Sequence, residues 1–202
     1  MRVTMKVSFA ASTLLLVLTF TLTRTTLAAP LAPATTPAGQ VPTLIQDPCG
    51  RGWVYFDLGN TLVDTHDWTH LRYMTGSLGY IHELKAAGFH LAIVTNVPES
   101  WGTNDAEKIA HLKSDVNSNW QEPASFEWDL FESILVPPTD QDRKPAPYLF
   151  EHAKAHSVGC KVAFEGEDPA EVIAAEHAGF NQARDVGVNG TPNFIPAADL
   201  LN

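Results

Sequence analysis

From Trp53 onward the chain alternates short apolar runs with longer stretches in which apolar residues recur at helical spacing. Trp53–Leu58, Phe89–Thr95, Phe131–Val136 and Lys161–Glu165 read as buried strands, and Ala183–Val186 as a short last one. A helical stretch precedes the second run and ends at Glu83-Leu84-Lys85-Ala86-Ala87-Gly88, with Gly88 as its stop signal. Further helices are predicted around Asp105–Lys113, from Pro145 through His156, and from Pro169 to the stop at Gly179. Pro137-Pro138 closes the third strand, and residues 114–130, rich in Asn, Ser, Trp and Glu, read as irregular. Strands alternating with helices predict a parallel sheet covered on both faces, a Rossmann-like, doubly wound three-layer α/β/α domain. There is no internal repeat.

The pattern differs before Trp53. Arg2 and Lys6 precede an uncharged stretch from Val7 to Thr23 centred on Leu14-Leu15-Leu16-Val17-Leu18, and small residues follow at Thr26, Ala28 and Ala29. A positive start, an apolar middle and a small-residue zone predict a secretory signal peptide over residues 1–28. Threonines and serines dilute the stretch, and its length is short for a membrane span. The mature chain is therefore expected to have no stable span and to be exported, periplasmic or secreted. Residues 29–48 are rich in Pro, Ala and Thr and read as an extended tether, leaving 49–202 as the folded domain.

Formal net charge is −10, from 13 Lys and Arg against 23 Asp and Glu, and loss of Arg2, Lys6 and Arg24 with the leader would make it −13. No basic cluster offsets this, so nucleic acid and anionic membrane surfaces are disfavoured as partners. There are two cysteines, Cys49 and Cys160. Each precedes a candidate strand. If those strands are parallel neighbours, both thiols share the amino-terminal edge of the sheet, and an oxidising compartment would favour a disulfide between them. The alternative is two unpaired buried thiols.

Candidate chemistry gathers at the opposite, carboxyl-terminal strand ends. Asp57 ends the first strand and a Gly59-Asn60 turn follows. Thr95-Asn96 ends the second, Lys144 comes after the third, and Gly166-Glu167-Asp168 ends the fourth, with Glu171 one helical turn on. Open α/β sheets bind ligands at this edge. Singly, each residue has an ordinary structural explanation, as turn former, loop entry, surface charge or helix N-terminal acid. His66 and His70, like His152 and His156, are spaced to share a helix face and bind a metal, but neither pair has an evident third ligand.

The ordered set resembles the haloacid-dehalogenase-like (HAD) hydrolase superfamily over about residues 52–190. Asp57 through Leu62 resembles its first motif, Leu91-Ala92-Ile93-Val94-Thr95-Asn96 its second, Lys144-Pro145 its third, and Gly166-Glu167-Asp168-Pro169-Ala170-Glu171 its fourth. The resemblance implies that Asp57 attacks phosphorus and forms an aspartyl-phosphate. It implies that Thr95 is catalytic, that Asn96 and Asn60 contact substrate, and that Lys144 holds the nucleophile and offsets transition-state charge. Mg²⁺ would be held by Asp57, the Gly59 carbonyl and acids of the fourth motif, Glu167 first, with Asp168 and Glu171 as alternatives. The implied activity is that of a phosphatase acting on a small-molecule or accessible macromolecular phosphomonoester.

Two departures from the family pattern stand out. Gly59 occupies the position of the usual general acid, and Glu replaces Asp in the metal motif. They leave open hydrolysis of a carbon–halogen or carbon–phosphorus bond, and a catalytically weak or inactive binding protein with the same fold. Too few residues lie between Asp57 and Phe89 for a large cap domain. The longer insert after Asn96 is expected to form at most a partial lid.

Overall fold

A computed structural model of the chain describes residues 47–187 and 190–202. The expected leader and nearly all of the tether lie outside the described residues. Among those described, no helix is long and apolar enough to cross a membrane.

The strands are β1 (Trp53–Phe56), β2 (Val63–Asp64), β3 (Arg72–Tyr73), β4 (His90–Val94), β5 (Ser133–Leu135), β6 (Val162–Gly166) and β7 (Gln182–Asp185). The helices are α1 (Ser77–Ala86), α2 (Asp105–Asn119), α3 (Tyr148–His156) and α4 (Pro169–His177). Five strands form one parallel sheet in the order β5-β4-β1-β6-β7, while β2 and β3 make a separate antiparallel hairpin. From β1 the chain winds outward through β4 to β5, then returns to the other side of β1 for β6 and β7. The sheet is therefore doubly wound, and its switch point lies between β1 and β6. A crevice opens there at the carboxyl ends of the strands.

Strand alternation splits the core into two layers. Val54 and Phe56 of β1, with Leu91 and Ile93 of β4, pack against Ile81 and Leu84 of α1, Leu112 and Val116 of α2, and Leu200. Trp53, Tyr55, Ala92, Val94, Val162 and Phe164 pack on the other face against Leu149, Phe150 and Ala153 of α3 and Ala175 of α4. Both faces of each central strand are thus buried, which is why these segments are apolar throughout rather than alternating.

The helix expected to end near Lys113 continues to Asn119. Leu112 and Val116, four apart, carry its buried stripe into the segment that reads as irregular, and Asn and Ser occupy the outward positions. Asn104 caps its start, accepting from the Glu107 amide at 3.0 Å. Lys108 anchors its inner side by donating to the carbonyls of Pro137 (2.8 Å) and Pro138 (2.6 Å). His66 and His70 lie on the hairpin loop, not on a helix, and their rings bond to Asp64 and Asp67. Among the described residues no three His, Cys, Asp or Glu side chains form a ready-made metal cluster.

Cys49 and Cys160 are joined by a disulfide, with Cα atoms 5.3 Å apart and a sequence separation of 111. Closing a loop of that size contributes up to about 4.7 kcal/mol in the chain-entropy treatment. The bond ties the start of β1 to the start of β6, the two strands that flank the switch point.

Glu165 of β6 is a polar side chain in the interior, on the face away from Asp57's partners. Its Oε1 accepts from the Ile195 amide (2.7 Å) and the Tyr80 hydroxyl (3.3 Å), while Oε2 has no partner among the described residues. Burial pushes this carboxyl up to about 7. A carboxyl raised on folding contributes stability that is complete below its unfolded value, near 4.5, and is lost as pH rises through about 7. Unfolding by denaturant at pH 5 and pH 8 should therefore show Glu165 weakening the fold at the higher pH, by at most roughly 3 kcal/mol. Glu165→Gln should flatten that part of the pH dependence. Identical pH dependence in the two proteins would contradict the assignment.

Candidate active site

The first turn after β1 is built by backbone bonds. The amides of Leu62 and Val63 both donate to the Leu58 carbonyl, and the Asn60 amide donates to the Val63 carbonyl. Asn60 adopts φ +50°, a left-handed conformation that Asn tolerates better than most residues. Its Oδ1 accepts from the Thr65 amide (3.2 Å) and the Thr65 hydroxyl (2.9 Å), stapling the loop that leads away from Asp57. Asn60 is thus placed as a loop staple behind the cleft rather than on its lining. Gly59 itself does not lie in the left-handed region, so a β-carbon there is limited only by Thr65 Oγ1, at 3.2 Å.

Asp57, Thr95, Glu167 and Glu171 line one cleft of about 220 Å³, together with Gly59 and Asn96. Lys144 lies beneath it, its side chain fully buried. Its ammonium donates to Asp57 Oδ1 at 2.6 Å and to Glu171 Oε2 at 2.5 Å. Burial alone would lower this ammonium's pKa, but the two carboxylates touching it hold it above its ordinary value. The lysine is therefore a fixed positive charge that orients Asp57.

Asn96 clamps the lysine's backbone. Its Nδ2 donates to the Lys144 carbonyl (3.0 Å) and its Oδ1 accepts from the Lys144 amide (2.8 Å). Both ends of the amide are engaged, so Asn96 positions Lys144. Thr95 sits beside it at the end of β4, its amide held by the Leu135 carbonyl (3.1 Å).

The fourth-motif acids separate by role. Glu167 lies within hydrogen-bonding reach of Asp57 and accepts from the buried Thr61 hydroxyl at 3.2 Å. Glu171, in the first turn of α4, belongs to Lys144. Asp168 is exposed and caps α4, accepting from the Ala170 amide at 2.8 Å. A β-carbon at Gly166 would stand 2.7 Å from the ring of Phe164, two residues back on the same strand, so glycine there leaves room for that ring, while Asp57 Cβ at 3.5 Å is an ordinary contact.

Like charges are crowded at the cleft floor. Asp57, Glu167 and Glu171 against Lys144 leave two negative charges at the cleft floor when all are ionised. Burial first, and Asp57 second, push Glu167 up to about 8. Asp57 and Glu167 are the carboxylates that would hold a divalent cation, whose charge would offset theirs, and Mg²⁺ suits one or two carboxylates completed by water. The donor set fits such an ion.

The outer wall is apolar. Trp68, from the loop between β2 and β3, and Trp101, from the single turn at Glu99–Trp101, line it above Leu112 and Val116 of α2. Trp68 donates to Asp115 at 3.0 Å, linking the hairpin loop to α2, and Trp101 stacks on His111 with ring centres 4.4 Å apart. The insert after Asn96 is thus one wall of the cleft. Sequence alone did not distinguish these two tryptophans from Trp53, Trp120 and Trp128, which pack against other aromatic rings.

No family model matches the chain, and no curated protein matches it. Solved structures with a similar chain path include an uncharacterised protein from Listeria monocytogenes serotype 4b, 19% identical over 64% of this chain and 75% of that one, with TM-score 0.45. A protein of Mesorhizobium loti provisionally assigned as a HAD-like phosphatase is 17% identical over 64% and 69%, with TM-score 0.45. The D,D-heptose 1,7-bisphosphate phosphatase of B. bronchiseptica, whose structure holds magnesium and phosphate, is 16% identical over 64% and 78%, with TM-score 0.48. This chain resembles the HAD-like hydrolases in the order and spacing of its four motifs, whose side chains the α/β fold gathers at the carboxyl-terminal edge of one sheet.

Proposed function

We propose that the chain is an exported, Mg²⁺-dependent phosphatase that hydrolyses a phosphomonoester through an aspartyl-phosphate at Asp57. One observation carries this reading. Asp57 opens onto the cleft with one carboxylate oxygen pinned at 2.6 Å by a buried ammonium, while Glu167 stands beside it. That arrangement fixes the carboxylate's rotamer and leaves its other oxygen for attack, as an activated nucleophile needs.

Asp57 would attack phosphorus in line with the ester oxygen. The phosphorus–oxygen bond to the leaving group breaks, and water then cleaves the aspartyl-phosphate, returning the carboxylate and releasing phosphate. Thr95 would hold a phosphoryl oxygen, and Lys144 would keep Asp57 aligned and offset transition-state charge. Asp57, Glu167 and the Gly59 carbonyl would hold Mg²⁺, which when bound offsets the charge of the phosphoryl oxygens. Export rests on the leader-like N-terminus.

Phosphate release from a panel of phosphomonoesters, with Mg²⁺ and with excess chelator, tests this. Turnover that requires Mg²⁺ supports the phosphatase. Gly59, which supplies no acid, favours a binding protein as the second reading. That reading takes over if no substrate turns over while an unreactive phosphate analogue still binds.

A further inference from the structure

The cleft wall and the residue at position 59 point to the same kind of substrate. Resting on the phosphatase reading, we infer that the ester carries an aryl leaving group: a phenolic oxygen on an uncharged ring that lies against Trp68 and Trp101.

The first support is the wall. Trp68 is 39% exposed although hydrogen-bonded, and Trp101 keeps part of its surface on the cleft. Behind them lie Leu112, Val116 and Val63, all buried. Aromatic surfaces of this kind reward a flat apolar group. Among the described residues that line the cleft, none is Arg, Lys or His. A second phosphate or a carboxylate on the leaving group would meet no Arg, Lys or His on that lining, and Asp115 at the Trp68 indole would repel it. A sugar would meet few hydrogen-bonding groups beyond those of the phosphoryl site. The volume, about 220 Å³, suits one ring together with a phosphoryl group. A closed apolar cavity of about 150 Å³ already holds benzene.

The second support is the chemistry of departure. A side chain at residue 59 would enter the cleft beside Thr65, and glycine offers no proton there. Glu171 is held by Lys144, and Glu167 is assigned to the cation. Thr65 has a hydroxyl, but it donates to Asn60. The leaving oxygen must therefore depart with the bonding electron pair and without a proton. A phenolic oxygen, with a conjugate-acid pKa of about 10, can do so. An aliphatic alkoxide approaches hydroxide in basicity, whose conjugate acid has a pKa of about 15.7. The balance is complete without a further reactant. Asp57 oxygen bonds to phosphorus, the phosphorus–aryl-oxygen bond breaks, and the phenolate takes its proton from solvent. Water then supplies the hydroxyl that frees phosphate.

Steady-state kinetics of the whole protein with Mg²⁺ on four small esters separate the contributions. Phenyl phosphate has a ring and a good leaving group, benzyl phosphate a ring and an alkoxide, acetyl phosphate a good leaving group and no ring, and glycerol 3-phosphate neither. Phenyl phosphate should show the highest kcat/KM, at least tenfold above benzyl phosphate and above acetyl phosphate, and glycerol 3-phosphate the lowest. Trp68→Ala and Trp101→Ala should each lower the phenyl-to-acetyl ratio about tenfold, and Trp68→Phe should restore most of it. Free O-phosphotyrosine and a phosphotyrosyl peptide then tell a small aryl phosphate from a protein-borne one. Turnover of acetyl phosphate with phenyl phosphate no better than glycerol 3-phosphate would overturn the aryl assignment alone. Failure to turn over any of the four would overturn the phosphatase reading and the aryl assignment together.

Discussion

Replacing Asp57 with asparagine should abolish metal-dependent phosphate release, lowering kcat by on the order of 10⁴-fold or more, the scale on which removal of a nucleophile acts. Asparagine preserves the shape of the side chain but not its anionic oxygen. The fold should survive, because Lys144 retains Glu171 at 2.5 Å and the cluster of carboxyls loses one buried negative charge. Thermal unfolding should therefore shift upward or stay level while activity disappears. Lys144→Met is a poorer probe. It would leave Asp57 and Glu171 without their buried counter-ion, a loss that commonly costs ~3–5 kcal/mol, so inactivity could reflect unfolding. In Asp57→Asn the two effects separate. Full metal-dependent activity in that variant would refute the covalent mechanism. If the native protein and Asp57→Asn bound an unreactive phosphate analogue equally well, and neither turned over any substrate, the binding-protein reading would be favoured.

The layout of the domain was legible where burial on both faces forces long apolar runs, as at Val54-Tyr55-Phe56 and Leu91-Ala92-Ile93-Val94. It was least legible where the signal is short or polar. The β2–β3 hairpin has two residues per strand, too few for a period to show. The last turns of α2 hide behind Asn and Ser, with only Val116 carrying the stripe. The site divides in the same way. Asp57, Thr95, Lys144, Glu167 and Glu171 could be named from their place at strand ends and helix starts. Their division of labour could not, since it depends on contacts far apart in sequence. Asn96 reads as a phosphoryl ligand until its amide is found closed on the Lys144 backbone. Asp168 and Glu171 look interchangeable until one is seen capping α4 and the other touching the lysine. Gly59 reads as a turn glycine, yet the residue with positive φ is its neighbour Asn60. That difference bears directly on what can be substituted there.

Gly59→Asp should widen the range of substrates by supplying the proton that the native site lacks. The backbone at 59 asks nothing special of its residue, and the new β-carbon would meet Thr65 Oγ1 at 3.2 Å, a contact that a small rotation of Thr65 can relieve. The cost in stability should therefore be modest. The new carboxyl would enter the cleft beside Asp57, where it can protonate a departing alkoxide and then activate water. General acid–base help of this kind is worth ~10²–10⁴-fold. It matters most for leaving groups that cannot depart as anions. Glycerol 3-phosphate and benzyl phosphate should therefore gain ~10²-fold or more in kcat, while phenyl phosphate gains little, so that the preference for aryl esters narrows. Gly59→Asn is the control, since it fills the same space without an acid and should leave the alkyl esters as slow as before. Equal gains for phenyl and benzyl phosphate would mean that the aspartate acts on water attack and not on departure of the leaving group. A folded Gly59→Asp protein with no gain on any alkyl ester would show that proton supply at residue 59 is not what limits this site.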